Sequence, residues 1–211
     1  MVQKKSAAQK VARAPHQVRI IGGQWKRTPL TVLDAEGLRP TPDRVRETVF
    51  NWINHLLDAN WERASCLDLF AGTGALGFEA ASRGAAKVVM LENNVQAIRQ
   101  LEATKAKLKA DQVTIQRGDA LTFMQGLVGC GSPPFDLIFL DPPYHQDWLV
   151  KILPLCQRML SEGGLVYAEA EMPLEEETAE WMHGWEVVRA DKAGMVFYHL
   201  LRRNTAPDFQ A

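Results

Sequence analysis

Cysteine is scarce in this sequence. Of 211 residues only Cys66, Cys130 and Cys156 are cysteines, far apart and with no C-x-x-C pair, which argues against a disulfide framework and a zinc site and for a reducing compartment. Long apolar runs are missing too. Stretches such as Leu137-Ile138-Phe139-Leu140 fall far short of the roughly 20 residues a membrane span requires. The N-terminus lacks the apolar core of a secretory signal but is basic and free of acid, which leaves a transit peptide open. A soluble, cytoplasmic, monomeric protein is expected. The five histidines, at 16, 55, 145, 183 and 199, share no metal-ligand spacing, so no metal is expected.

Acidic residues are absent from one stretch in particular. Residues 1–33 hold Lys4, Lys5, Lys10, Arg13, Arg19, Lys26 and Arg27 and no Asp or Glu, although the whole chain carries a net charge of only -1. A basic arm on an acidic body most often binds phosphate. The opposite run, Glu169, Glu171, Glu175, Glu176, Glu177 and Glu180, reads as a solvated face.

What is present is ordinary globular composition, 46% hydrophobic and 23% charged. Residues 1–15 lack apolar periodicity and read as a disordered basic tail, as do 204–211 at the other end. Residues 16–38 contain two short extended pieces around Gly22-Gly23, with Trp25 among basic neighbours, and read as a basic β-hairpin appendage. Residues 39–203 form the main domain. Thr41-Pro42-Asp43 has the form of a helix start, with Thr41 as hydroxyl cap and proline at the first helical position. Val45, Val49, Trp52, Ile53 and Leu56 then mark one buried face, and Arg44, Glu47 and Asn51 the other.

From Cys66 onward strands and helices alternate. Strands are expected at 66–70, 87–92, 113–117, 135–141 and 165–169, with helices at 76–83, 95–110, 120–128 and 148–160. The chain ends in two extended runs, 185–190 and 195–202, around Asp191-Lys192-Ala193-Gly194. The fold class is therefore α/β, Rossmann-like: a seven-stranded, mostly parallel sheet ending in an antiparallel hairpin.

Gly72, Gly74 and Gly77 satisfy G-x-G-x-x-G where the first of these strands meets its helix, and Glu92 follows 20 residues after Gly72. That pattern suits any nucleotide whose ribose an acid can grip. Asp68, inside the strand before the glycines, would repel a pyrophosphate and attract an ammonium and a sulfonium. Asp119, ending the third strand, could accept a bond from an adenine amine. Together these carboxylates point to S-adenosylmethionine, and residues 66–141 resemble a class I S-adenosylmethionine-dependent methyltransferase. The resemblance implies that Gly72 and Gly74, beside Asp68 and Phe70, line the methionine end. Glu92 with Asn93 would take the ribose, and Asp119 with Ala120 would flank the adenine.

The fourth strand ends in Asp141-Pro142-Pro143-Tyr144. Two prolines stiffen its exit, fixing the Asp141 carboxylate and the Pro142 carbonyl at the edge where open parallel sheets bind ligands. Such an acceptor pair can hold both hydrogens of an exocyclic amine, and Tyr144 can stack on a base pulled from its neighbours. The tetrapeptide resembles the motif of amino-methyltransferases that act on nucleobases.

The segments Arg19-Ile20-Ile21-Gly22-Gly23-Gln24-Trp25-Lys26 and Leu38-Arg39-Pro40-Thr41-Pro42-Asp43-Arg44-Val45-Arg46-Glu47, with Phe50-Asn51, resemble the RsmD family from residue 18 to 203. That family methylates the guanine 2-amino group in bacterial small-subunit ribosomal RNA. The resemblance implies ribosomal RNA as partner, naked or within a ribosomal particle. It places Arg39 and Thr41 near the pocket, and Arg19, Trp25, Lys26, Arg27 and Arg39 become candidate RNA contacts. Three rivals stay open: a DNA or other RNA amino-methyltransferase, for which no gap leaves room for a recognition insertion; a nicotinamide oxidoreductase, disfavoured by Asp68; and a non-catalytic RNA-binding assembly factor.

Overall fold

The computed structural model of the protein describes residues 18–32, 41–174 and 180–204. The expected tail 1–15, residues 205–211 of the expected tail 204–211, Arg39, the boundary expected at 38/39 and Glu175 to Glu177 lie outside the described residues, whereas the Asn204 amide donates to the Gly184 carbonyl at 2.8 Å. Among the described residues no helix is long and apolar enough to cross a membrane.

The expected alternation is present: β3 (Ser65–Asp68), α2 (Ala75–Ser82), β4 (Lys87–Glu92), α3 (Val95–Leu108), β5 (Val113–Arg117), α4 (Ala120–Gly129), β6 (Phe135–Leu140), α5 (Trp148–Met159) and β7 (Leu160–Ala170). The hairpin β8 (Trp185–Ala193) and β9 (Val196–Arg203) completes a seven-stranded sheet ordered β5-β4-β3-β6-β7-β9-β8. The five strands from β5 to β7 run parallel, and β9 joins β7 antiparallel. The order reverses direction between β3 and β6, both of which start from the middle of the sheet, so ligand-binding loops gather at their carboxyl ends.

Helices cover both faces. Val88, Met90, Leu137, Phe139, Leu165 and Tyr167 face α1 (Asp43–Leu56), α2 and α3, while Leu67, Val89, Ile138, Leu140, Val166 and Ala168 face α4 and α5. Both sides of these strands are therefore buried, which explains their continuous apolar runs. The fifth parallel strand is longer than the apolar run suggests, because Leu160 pairs with Phe135 before a register irregularity brings Leu165 opposite Leu137.

Three sequence expectations are corrected here. The hairpin does not stand off as an appendage. Its strands β1 (Val18–Arg19) and β2 (Pro29–Leu30) are short, and Val18, Ile20 and Leu30 are buried in the main core beside Val45, Val49 and Phe50. Gly22-Gly23 is not a simple turn but a docking point. Gln24 N donates to the Ser82 carbonyl at 2.8 Å, and Ser82 Oγ donates to the Gly22 carbonyl at 2.6 Å while accepting from Trp25 N at 2.9 Å. The buried Glu79 carboxylate accepts the Ile21 and Gly22 amides at 2.6 and 2.8 Å and pairs with Arg83 at 2.8 Å. A buried carboxylate so supplied with donors is a strong lock.

Gly23 has φ +71°, and a Cβ there would sit 1.8 Å from the Ser82 carbonyl oxygen. Gly23→Ala is expected to destabilise the protein by about 2 kcal/mol or more, seen as a lowered Tm, whereas Gly131→Ala serves as the control because its φ of +65° faces open space.

The second correction concerns the start of α1. Pro42, with ψ 146°, is the residue before the helix, and no side chain caps it; the Thr41 hydroxyl is bonded elsewhere. The third concerns the helix faces. Arg46 is fully buried with Phe50, on a side of α1 that the apolar spacing did not mark. Its Nη2 pairs with Asp43 at 2.6 Å and its Nε donates to the Thr41 carbonyl at 3.4 Å. Burial pushes the guanidinium below its ordinary range, against the opposing pull of Asp43 and then Glu79.

Candidate active site

The glycine loop leaves β3 at Asp68 and enters α2 at Ala75. Gly72 and Gly74 both take left-handed backbone, with φ +50° and +78°. Gly77 permits a close helix-to-strand approach, since a Cβ there would lie 2.4 Å from Met90 Cε and 3.2 Å from Asp68 Oδ2. Through that gap the Gly77 amide donates to Asp68 Oδ2 at 3.1 Å. Asp68 is 1% exposed, and its Oδ1 has no hydrogen-bond partner among the described residues. Burial pushes this carboxyl up to about 7, with the Gly77 and Phe70 backbone amides opposing. An unpartnered buried carboxylate oxygen is costly and marks a place for a cationic donor.

Glu92 ends β4 half-buried. Its Oε2 accepts the Gly72 amide at 2.8 Å, and its Oε1 accepts the amides of Asn93 and Asn94 at 2.9 and 2.8 Å. The glycine loop and the acidic residue are thus bonded to each other, with Glu92 oriented at the loop's mouth. Asp119 is exposed and caps α4, accepting from the Thr122 amide at 2.9 Å; Ala120 beside it is buried. Phe70 meets Trp148 edge-on, ring centroids 5.4 Å apart, joining the glycine loop to the start of α5. Asp68, Phe70, Gly72, Gly74, Glu92, Asn93, Asp119 and Ala120 therefore lie at the carboxyl ends of the three neighbouring strands β3, β4 and β5.

Asp141 follows directly on β6, next to β3 in the sheet. Pro142 is buried behind it, and Tyr144 is 41% exposed. Burial raises the Asp141 carboxyl well above its ordinary range, and the charges of Glu169 and then Asp68 add to the effect. Asp141 therefore ends the strand next to the one that carries Asp68, and among the described residues it forms no ion pair. Burial, with Glu169 and Asp141 beside it, pushes the Tyr144 phenol up to about 12, so it stays neutral. His145 has φ +61° and is mostly exposed, with its ring paired to Glu171 at 2.7 Å.

Sequence reasoning missed Glu169. The acidic run reads as solvated, but Glu169 is 4% exposed at the end of β7, and its Oε1 accepts the hydroxyls of Thr41 at 2.6 Å and Tyr167 at 2.7 Å. It also neighbours Asp141, because Leu140 at the end of β6 pairs with Ala168 in parallel register, which sets the next residues of the two strands side by side. The available signal was topological: a residue closing the strand beside β6 must lie near Asp141, whatever its neighbours in sequence.

The basic residues of the hairpin collect around α1. Arg19, Ile20, Ile21, Lys26 and Arg27 line a pocket of about 260 Å³ with Asp43 and Glu47, and Arg19 Nε pairs with Asp43 at 2.7 Å. Lys26 and Arg27 are exposed, whereas Trp25 is half-buried and packed against the core. The hairpin pocket and Asp141 are joined through residues 41–43, since Asp43 holds Arg19 and Thr41 holds Glu169.

The fold is that of class I S-adenosylmethionine-dependent methyltransferases, and the unpartnered Asp68 oxygen, the open glycine backbone and the oriented Glu92 suit that cofactor's cationic amino-acid end and its ribose. SMU.776, a structure crystallised with SAH, has the same fold at 15% identity, covering 92% of this chain and 58% of that one with a TM-score of 0.66. Residues 18–202 match the family described as Conserved hypothetical protein 95. The chain belongs to that family, the RsmD family. Ribosomal RNA small subunit methyltransferase D of Escherichia coli (strain K12) is 37% identical over 197 residues, covering 92% of this chain and 94% of that protein. The solved structure of the Escherichia coli protein yhhF superposes with a TM-score of 0.73 at 35% identity, covering 90% of this chain and 99% of that one.

Proposed function

We propose that the protein transfers a methyl group from S-adenosylmethionine to the exocyclic 2-amino group of a guanine in small-subunit ribosomal RNA. The observation that carries this reading is the position of Asp141: half-buried, at the tip of β6, on the strand paired with the one that ends in Asp68. The relatives' name as ribosomal RNA methyltransferases supports the class of substrate.

The cofactor supplies an electrophilic methyl carried on a sulfonium. Asp68 and the glycine loop hold its amino-acid end, Glu92 its ribose, and Asp119 with Ala120 its adenine. Asp141 and the Pro142 carbonyl hold the amine hydrogens. An exocyclic amine is a weak nucleophile because its lone pair is delocalised into the ring, so alignment carries much of the rate. Tyr144, rigidly placed after two prolines, stacks on the flipped base, a contact worth about 1–3 kcal/mol. Arg19, Lys26 and Arg27, with Arg39, take flanking phosphates. The partly packed Trp25 offers only its outer edge to sugar or base.

Mass mapping of methylated nucleotides in ribosomal RNA, from cells with and without the gene, tests the proposal. The expected result is loss of one N2-methylguanosine from the small-subunit RNA and its return when the gene is restored. An unchanged small-subunit map, or a loss confined to another base or to DNA, overturns it.

A further inference from the structure

Glu169 on β7 lies alongside Asp141, each one residue past the Leu140–Ala168 pair of the parallel register. One oxygen, Oε1, accepts two hydroxyl hydrogens, from Thr41 ahead of α1 and from Tyr167 two residues earlier on β7. Both bonds favour the ionised form of the carboxyl, against the burial that raises it above its ordinary range. The side chain is 4% exposed, and among the described residues no Lys, Arg or His forms an ion pair with it. A buried anion without a cation needs protons from its neighbours. Asp141, brought alongside by the pairing of Leu140 with Ala168, is the neighbour able to lend one. The other titratable groups facing the pair are Asp68 on β3, Tyr144 after β6 and Tyr198 on β9, opposite Glu169 in register.

We propose that Glu169 is the positioning residue for Asp141: it draws the Asp141 hydroxyl toward itself, leaves the other Asp141 oxygen free to accept the target amine, and receives the proton that the amine must release. This rests on the reaction proposed above. As the amine nitrogen bonds to the methyl carbon, the carbon–sulfur bond breaks and its electron pair stays on sulfur. The nitrogen then carries one hydrogen too many. That proton passes to the free oxygen of Asp141 while the Asp141 hydroxyl proton passes to Glu169. The sulfonium charge and the Glu169 charge disappear together, so the net charge of the site is the same before and after the step.

Thr41 and Tyr167 give Glu169 a second consequence. Because the Thr41 hydroxyl ends on the same oxygen, the chain entering α1 is latched to the carboxyl pair. The basic hairpin, tied to α1 through Asp43, is thereby held in register with the acceptor.

Glu169→Gln tests this. The amide oxygen can still accept from Thr41 and Tyr167, but its N–H2 now meets Asp141 as a donor, reversing one hydrogen bond without a change of size. In the cofactor-free protein, infrared titration of the carboxyl C=O band is expected to show a protonated Asp141 near neutral pH, identified by its absence from Asp141→Asn. In Glu169→Gln that band should titrate at lower pH, because the charge and the acceptor that favoured the acid are gone. Single-turnover methyl transfer to small-subunit RNA should fall by about 10²-fold, as for loss of a proton acceptor, with KM for RNA and cofactor within about twofold. A role confined to packing would change Tm and leave the Asp141 titration where it was, and that result overturns the proposal. If the wild type methylates the RNA and Glu169→Gln matches it in rate and titration, the pairing is wrong while the substrate reading stands. If the wild type transfers no methyl to ribosomal RNA, the substrate reading fails, and the infrared titration still decides the pairing.

Discussion

Asp141→Ala is expected to lower methyl transfer by about 10³-fold or more, the loss typical of removing a preorganised polar group from a water-poor site, while RNA affinity stays within a few-fold. The two effects separate because the side chain's work is local. Asp141 lies at the carboxyl end of β6 beside a buried proline, whereas the charges available for phosphate, Arg19, Lys26 and Arg27, sit around the hairpin pocket. Phosphate contacts dominate affinity, so binding survives when the amine acceptor is lost. Asp141→Asn should be intermediate: an amide oxygen still accepts from the amine, but the group cannot pass a proton to Glu169. Single-turnover transfer and filter binding on the same small-subunit RNA measure both quantities. Full turnover in Asp141→Ala would remove the amine-holding role altogether.

Much of the site was legible in the sequence because its signals are local. Strand–loop–helix punctuation, a glycine wherever a Cβ would collide, and two prolines at a strand exit are each written within ten residues. That is why the glycine loop, Glu92, Asp119 and Asp141 all fall at the sheet edge expected of them. The N-terminal hairpin was misread for the opposite reason. Its attachment depends on Glu79 and Ser82, which pair with residues about 60 positions away, and in their own helix they look like ordinary polar turns. Charge counting sees Lys26 and Arg27 but not the burial of Ile20 and Leu30.

Glu169 failed by the same rule. Composition assigns a residue the character of its sequence neighbours, and here those are acids. In the fold its neighbours are Thr41, Asp141 and Tyr167, and only Tyr167 is close in sequence. Alternation along β7 does hold the clue, since Tyr167 and Glu169 share a face opposite Val166 and Ala168. Reading it requires knowing that both faces are covered. Thr41 shows a milder case: a hydroxyl beside a helix start fits a cap, yet a buried carboxylate elsewhere in the fold is the stronger acceptor.

Asp68→Asn is expected to act in opposite directions on stability and on cofactor binding. In the cofactor-free protein this carboxyl is buried, one oxygen has no partner, and its pKa is raised to about 7. A carboxyl titrating higher in the folded than in the unfolded chain carries no penalty below the unfolded value. The penalty grows as pH rises between the two values and is complete above the folded one. The neutral amide escapes it. Asp68→Asn should therefore match the wild type near pH 4 and exceed it at pH 8 by something on the order of a few kcal/mol, read as a Tm difference that widens with pH. Cofactor affinity should move the other way, falling by about 10²-fold because a charge-assisted bond to an ammonium is lost. The wild type itself should bind S-adenosylmethionine more tightly as pH is raised from about 5 to 7, since the cationic ligand selects the ionised carboxyl, and Asp68→Asn should flatten that dependence. Calorimetric titrations across this range measure it. A variant that binds as tightly as the wild type, or that is the less stable of the two at pH 8, would show that Asp68 is a structural bond to Gly77 and nothing more.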